Sequence, residues 1–215
     1  YVRNKVTKFQ GEVPSINGVY KLQEGKPINQ LYVMSVDRIV RDQSDLDYVQ
    51  SLVDKNPDYF ATYQRPELGD FLYADANHDG NLDANDRIEI GNGNSPAFTF
   101  GGNIGISWKG FDFSMTWSGA TKVSRLLDDI FREPFGATDS RSLMKYMIDD
   151  MWTPEKGNSA KAPAISFTNK VNNYRDSDLW LRDASYLRLK NVEIGDNFPK
   201  KILSKINIGS LRVFA

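Results

Sequence analysis

The sequence predicts an all-β chain of antiparallel hairpins joined by long connections that carry short helices. Three observations predict it. Residues 98–117 alternate strictly around a two-residue turn, further alternating segments recur along the chain, and an acidic loop, DANHDGNLDAND at 75–86, has extended-looking flanks on both sides.

The hairpin is the clearest element. Phe98, Phe100, Ile104, Ile106 and Trp108 share one face, while Thr99, Asn103 and Ser107 share the other with glycines. After Lys109-Gly110 the pattern resumes with Phe111, Phe113, Met115 and Trp117 against Asp112, Ser114, Thr116 and Ser118. One face is large and apolar with aromatics at both ends, and the other is small and polar. A soluble sandwich would bury the apolar face on a second sheet. A transmembrane barrel would turn it to lipid, with aromatics at the interfaces and a polar lumen behind. The local pattern alone favours the sandwich slightly, because such sandwiches are common.

Further strands are expected at 30–40, 87–90, 186–195 and 205–215. In 186–195 the apolar set runs Leu187, Leu189 and then Val192, Ile194, so the phase slips at Lys190-Asn191, as a bulge or a passage from rim to membrane would make it. Between strands, Asp139 or Ser140 can cap a helical turn through Leu143, Met147 and Met151 that Pro154 stops. Residues 123–131 are a second helical candidate. The connection over 119–179 is long for a compact sandwich, and long connections are where ligand contacts concentrate.

The loop at 75–86 lays oxygen ligands at calcium-loop spacing. Asp75, Asn77 and Asp79 point oxygens inward, Gly80 permits the turn that aims the Asn81 carbonyl, and Asp83 and Asp86 close the shell. Four carboxylates in so short a stretch repel one another unless a hard cation sits between them. Calcium is expected first and magnesium second. The last position is Asp86 rather than the longer Glu and the flanks are not helical, so this is no ordinary EF-hand. An Asx-rich solvated turn between strands is the competing reading. His78, the single histidine, occupies a non-ligating position and is expected to face solvent.

Bulk properties exclude more than they assign. A formal net charge of −1 over 215 residues gives no basic footprint for nucleic acid. The absence of cysteine rules out a disulfide framework and thiolate metal sites. Asp128-Asp129 and Asp149-Asp150 are sequence neighbours whose side chains diverge on a helix, so no acid–base pair, and no catalytic residue, is expected. The abrupt ends of the chain, with no signal-like start, are expected of a fragment.

Four blocks then resemble one family in its own order. EGKPINQLYV, GDFLYADANHDGNLDANDRIEIGNGNSPAFTFGGNIGISWKGFDFSMTW, MWTPEKGNSAKAPA and DSDLWLRDASYLRLKNVEIGDNFP are similar to the C-terminal region of SusC/RagA-type TonB-dependent transporters. The resemblance implies a segment of a large antiparallel transmembrane β-barrel, of roughly 22 strands, with long extracellular loops carrying short helices. Residues 1–215 are expected to be a late portion of that barrel, with plug domain and TonB box absent. Where the family has Gly-Tyr-x-Leu-Pro this chain has Gly195-Asp196-Asn197-Phe198-Pro199, and Val33 to Asp37 replaces a more aromatic, glycine-rich strand.

The function implied is active import of oligomeric nutrients across the outer membrane of a Gram-negative-type bacterium, glycans first and peptides second. The partners implied are a SusD-like surface lipoprotein, TonB through the absent N-terminal region, and outer-membrane lipid. Trp152 and Trp180 flank loop segments and are the candidates to stack on substrate. The alternative is a secreted, calcium-stabilised β-sandwich acting as a binding module or adhesin.

Overall fold

The computed structural model describes the chain except residues 1–4, 9–14, 17–19, 22, 29, 136–140 and 166–170. In chain order the elements are β1 (Ser15–Ile16), β2 (Tyr20–Lys21), β3 (Gln30–Val33), β4 (Val36–Ile39), α1 (Gln43–Lys55), β5 (Phe71–Tyr73), β6 (Ile88–Glu89), β7 (Phe98–Trp108) and β8 (Phe111–Thr121). There follow β9 (Ser124–Leu126), α2 (Asp129–Arg132), α3 (Lys145–Asp150), β10 (Leu181–Asp183), β11 (Tyr186–Asn197), α4 (Lys200–Leu203) and β12 (Arg212–Phe214). Sheet dominates, and among the described residues no helix is long and apolar enough to cross a membrane.

Two regions differ in construction. The first is an antiparallel sheet in the order β12-β11-β8-β7, whose three long strands, β7, β8 and β11, run 11, 11 and 12 residues. At its far end Lys109 and Gly110 turn β7 into β8 with φ of 51° and 98°, the two positive values a type I′ turn demands. A side chain at Gly110 would also strike the Asn197 carbonyl at 2.7 Å. The expected phase slip is a register shift between Leu189 and Asn191, so the extra residue, Lys190, is a bulge that returns Val192 and Ile194 to the face of Leu187 and Leu189.

The second region is a cap at the opposite end, made from the residues before β7 and from the β8–β11 connection. Short ladders β1-β2-β3-β6, β4-β5 and β9-β10 frame it. Its core holds Met34, Ile39, Tyr59, Tyr63, Phe71, Tyr73, Leu82 and Trp180. A second cluster packs Val40, Val49 and Leu72 beneath α1. The α1 helix starts because Asp42 accepts from the Asp45 amide, and it ends at Asn56, whose own amide returns to the Leu52 carbonyl.

Several expectations need correcting. The strand over 30–40 is two strands, because Met34 leaves the ladder to bridge Ser177 in parallel. Residues 123–131 are not one helix but β9 followed by the single turn of α2, and residues 205–215 pair only over β12. The helix near 143–151 is confined to α3, with Met144 at its N-cap; Asp139 and Ser140 lie outside the described residues.

Candidate functional site

The long sheet has two unlike faces. Register places Ile104 opposite Met115 and Ile106 opposite Phe113, and continues that face through Val192 and Ile194 on β11. Nothing among the described residues covers it: Ile106 is 57% exposed and Leu187 71%. Aromatics mark its ends, with Phe98 and Phe100 packed near the cap at 5.5 Å between ring centroids and Trp108 beside Phe111 at the turn. Two glycines make room for them. A Cβ at Gly119 would fall 2.4 Å from the Phe100 ring, and one at Gly102 2.9 Å from the Trp117 ring, so each ring lies on bare cross-strand backbone. From Phe98 to Trp108 is about 33 Å of strand, or about 25 Å along the normal at a tilt of about 40°.

The reverse face carries Asn103 opposite Thr116, Ser107 opposite Asp112, and Glu193 opposite Ser114. Near the turn, Arg212 donates through Nη2 to Asp112 at 2.6 Å and also to Glu193. The Asp112–Arg212 pair lies across bare Gly195, where a Cβ would meet both side chains below 3 Å.

The acidic loop folds as a chain of Asx turns. Asp75 Oδ2 accepts from the Gly80 amide at 2.9 Å, Asn77 Oδ1 from Asp79 at 2.9 Å, and Asp79 Oδ1 from Asn81 at 2.8 Å. Gly80 takes the sharp turn with φ of 82°. Asp83 caps its own 3-10 turn through the Asn85 amide, and Asp86, fully buried, accepts from the amides of Ala76 and Asp83. Burial raises the Asp86 carboxyl above the usual carboxylate range against the pull of those amides. Hydrogen bonds from the Asn81 amide and the Asn77 side chain hold Asp79 low. The α1 cap grips the same loop, since Asn56 Nδ2 donates to the Gly80 carbonyl at 2.6 Å and to Asn81 at 3.0 Å.

The six expected ligands are not drawn into one closed shell. Among the described residues no three acidic or histidine side chains converge closely enough to hold an ion, because Asp83 and Asp86 are committed to turn amides. What fits a cation is narrower. Asp75 Oδ1 is buried with no donor, and none of the loop carboxylates has an ion-pair partner among the described residues. His78 is exposed in the left-handed region, with φ of 59°.

Trp180 is structural, which corrects its reading as a stacking platform. Trp180 is 2% exposed, its ring 6.2 Å from Phe71 and 6.4 Å from Tyr174, with Nε1 donating to the Asn173 carbonyl. Trp152 is half-buried against the main chain of Gly69, where a Cβ would lie 2.8 Å from its ring. Trp180 presents no free face for a sugar.

Residues around 172–178 are what the sequence reading missed. Asn173, wholly buried, accepts from the Phe71 amide at 2.9 Å and donates to Asp70 at 2.8 Å. Asn172 accepts the Tyr73 hydroxyl at its carbonyl at 2.6 Å, and Asp178 accepts from the Val36 amide and the Ser35 hydroxyl, each at 3.0 Å. This segment substitutes for a strand on the edges of β4 and β5. The polar run Asn-Asn-Tyr-Arg-Asp-Ser-Asp ahead of Leu-Trp was its available signal.

With this geometry in hand, the likeness to known proteins is specific. No family model matches the chain. TonB-dependent receptor P3 of Formosa agariphila is 29% identical over 147 residues, 68% of this chain and 14% of that protein. TonB-dependent receptor P39 of the same organism is 29% identical over 144 residues. Its relatives are TonB-dependent receptors. The chain spans about a seventh of the length of P3, and these relatives are receptors by name rather than enzymes, in keeping with a sequence that offers no catalytic pair. The fold is similar to part of a solved structure of the RagAB peptide importer in its closed-closed state, with a TM-score of 0.65 at 20% identity over 98% of this chain and 21% of that one. The open-open state gives 0.63 at 18% identity.

Proposed function

We propose that this chain forms part of the wall and the extracellular cap of a TonB-dependent importer in a bacterial outer membrane, carrying oligomeric nutrients inward. The observation that carries the reading is the two-faced sheet: an apolar face bare to its surroundings, bounded by aromatics about one bilayer core apart, with small polar residues behind. Closed into a barrel of roughly 22 strands, this sheet would set Ile104, Ile106, Met115 and Ile194 against lipid and Asn103, Ser114 and Thr116 against the lumen. The two-residue turn at 109–110 would then lie at the periplasmic end and the cap outside the cell.

A soluble sandwich module is the weaker reading, because the face it must cover lies uncovered. The cargo is a glycan or a peptide, delivered with a SusD-like lipoprotein partner. Burial of Trp180 removes one of the two residues expected to stack on the cargo. We also propose that one calcium ion, or magnesium in its place, sits at the acidic loop on Asp75 Oδ1, Asn77, Asp79 and the Asn81 carbonyl, with Asp83 and Asp86 bracing the turn. Its part is to hold the loop against α1.

Deletion of the gene for the intact protein, followed by growth on defined oligosaccharides and on defined peptides as sole nutrient, tests the import reading. Loss of growth on one class, restored by the intact gene, is the expected result. Unchanged growth on both, with the protein recovered in the soluble fraction, would contradict it.

A further inference from the structure

We infer that the segment joining β11 to β12 is an interfacial anchor lying on an anionic phospholipid leaflet, with its isoleucines among the acyl chains and its lysines on headgroup phosphates. The segment stands at the turn end of the long sheet, away from the cap. There the Asn197 amide donates to the Gly110 carbonyl at 2.7 Å, and the Phe198 amide donates to the Leu211 carbonyl at 3.0 Å and closes the segment's base. Between those points the chain runs through Pro199, α4 and a 3-10 turn over Ser204–Ile206, which Asn207 ends in the left-handed region with φ of 58°. Leu203 is the buried side chain of α4, and the Ile208 amide returns to its carbonyl at 3.1 Å.

What the segment turns outward is of two kinds. Ile202 and Ile206, four residues apart, are 55% and 59% exposed. They follow directly on the apolar face of the sheet, because Phe198 alternates with Ile194 onto that face and Leu211 lies beside it in line with Val213. Lys201 and Lys205 have the same four-residue spacing, so a cationic stripe runs alongside the isoleucines, and Lys200 adds a third charge. All three lysines are exposed, and none has an ion-pair partner among the described residues. Over residues 194–211 they stand against a single acid, Asp196. A zwitterionic surface would accept the isoleucines and leave the lysines without a counter-charge. Anionic headgroups satisfy both, since lysine stems can lie along the apolar boundary while their ammonium groups reach phosphate.

This inference rests on the import reading, which sets the apolar face of the sheet in lipid, and the test separates the two. The intact protein, carrying a fluorophore on Ile206→Cys or on Ile104→Cys, is reconstituted in vesicles of equal parts phosphatidylcholine and phosphatidylglycerol. In one set bromine on the phosphatidylglycerol acyl chains quenches the fluorophore, and in the other bromine on the phosphatidylcholine chains does so. At Ile104 we expect equal quenching by both lipids. At Ile206 brominated phosphatidylglycerol should quench severalfold more, with the preference shrinking in high salt. The combined variant Lys200→Gln, Lys201→Gln, Lys205→Gln, at exposed positions and with the fold intact by circular dichroism, should level the two lipids at Ile206. Quenching at Ile104 but not at Ile206 would overturn the inference alone and mean that water or a protein surface covers the segment. Equal quenching by both lipids at Ile206, or a preference that survives the lysine variant, would also overturn it. No quenching at either position would overturn the import reading and this inference with it.

Discussion

Trp180 and Trp108 are the same side chain in opposite surroundings: one is 2% exposed at the centre of the cap, the other 67% exposed at the far end of the sheet. The cap behaves like an ordinary water-soluble domain. It buries Phe71, Tyr73 and Trp180, caps its helix, satisfies the Phe71 amide with Asn173 and takes the Tyr73 hydroxyl on the Asn172 carbonyl. The sheet has no interior of its own. Its two faces differ as sharply as the inside and outside of the cap do, yet the apolar one is open. One chain therefore follows two burial rules, and on the import reading proposed above the difference marks a change of solvent along the strands.

The comparison breaks hardest at Trp180. Trp180→Ala should cost the cap about 3–5 kcal/mol through lost packing and a residual cavity. New protease cuts in the β8–β11 connection, with membrane insertion retained, are the expected result. Loss of insertion would mean that cap and sheet fold as one unit.

Ile104→Arg comes next, at about 2–4 kcal/mol near mid-membrane. Asn103→Arg, one residue away on the reverse face, should cost far less. Denaturant unfolding of protein refolded into lipid vesicles measures both, and equal costs would remove the distinction between the faces.

Asn173→Ala should cost about 1–3 kcal/mol, because the Phe71 amide and Asp70 lose a buried partner. Hydrogen exchange at Phe71 and Tyr73 should quicken while β7 and β8 stay protected.

The smallest effect is expected at the acidic loop. Chelation of calcium, or Asp79→Ala, should open residues 75–86 to protease and loosen docking of the proposed lipoprotein partner while barrel assembly persists. A calcium-loaded crystal with ligand oxygens at about 2.3–2.6 Å would support the assignment, and an ordered loop with these carboxylates turned outward and no ion would end it.

The sheet was legible because period-two alternation is local: β7, β8 and the bulge at Lys190 can all be read from neighbouring residues. The cap was not, since its strands are two to four residues long and are fixed by partners as distant as Val36 and Asp178. Helix α1 was missed although Asp42 and Asn56-Pro57 mark its ends. The acidic loop's turn chemistry was readable from spacing, whereas the commitment of Asp83 and Asp86 to amides depends on how the chain closes. Trp180 misled because a residue beside a long connection looks exposed until its core partners, Phe71 and Tyr174, are known.

Accessibility of single residues on β7 in the intact, membrane-assembled protein tests the central claim most directly. Cysteines at Ile106 and Ser107 are adjacent in sequence and opposite in face. The two-solvent account predicts that a water-soluble maleimide labels the cysteine placed at Ser107 and spares the one at Ile106, while a lipid-borne photolabel reaches Ile104 and Met115. Protection of that apolar face from the lipid probe, in properly assembled protein, would contradict it.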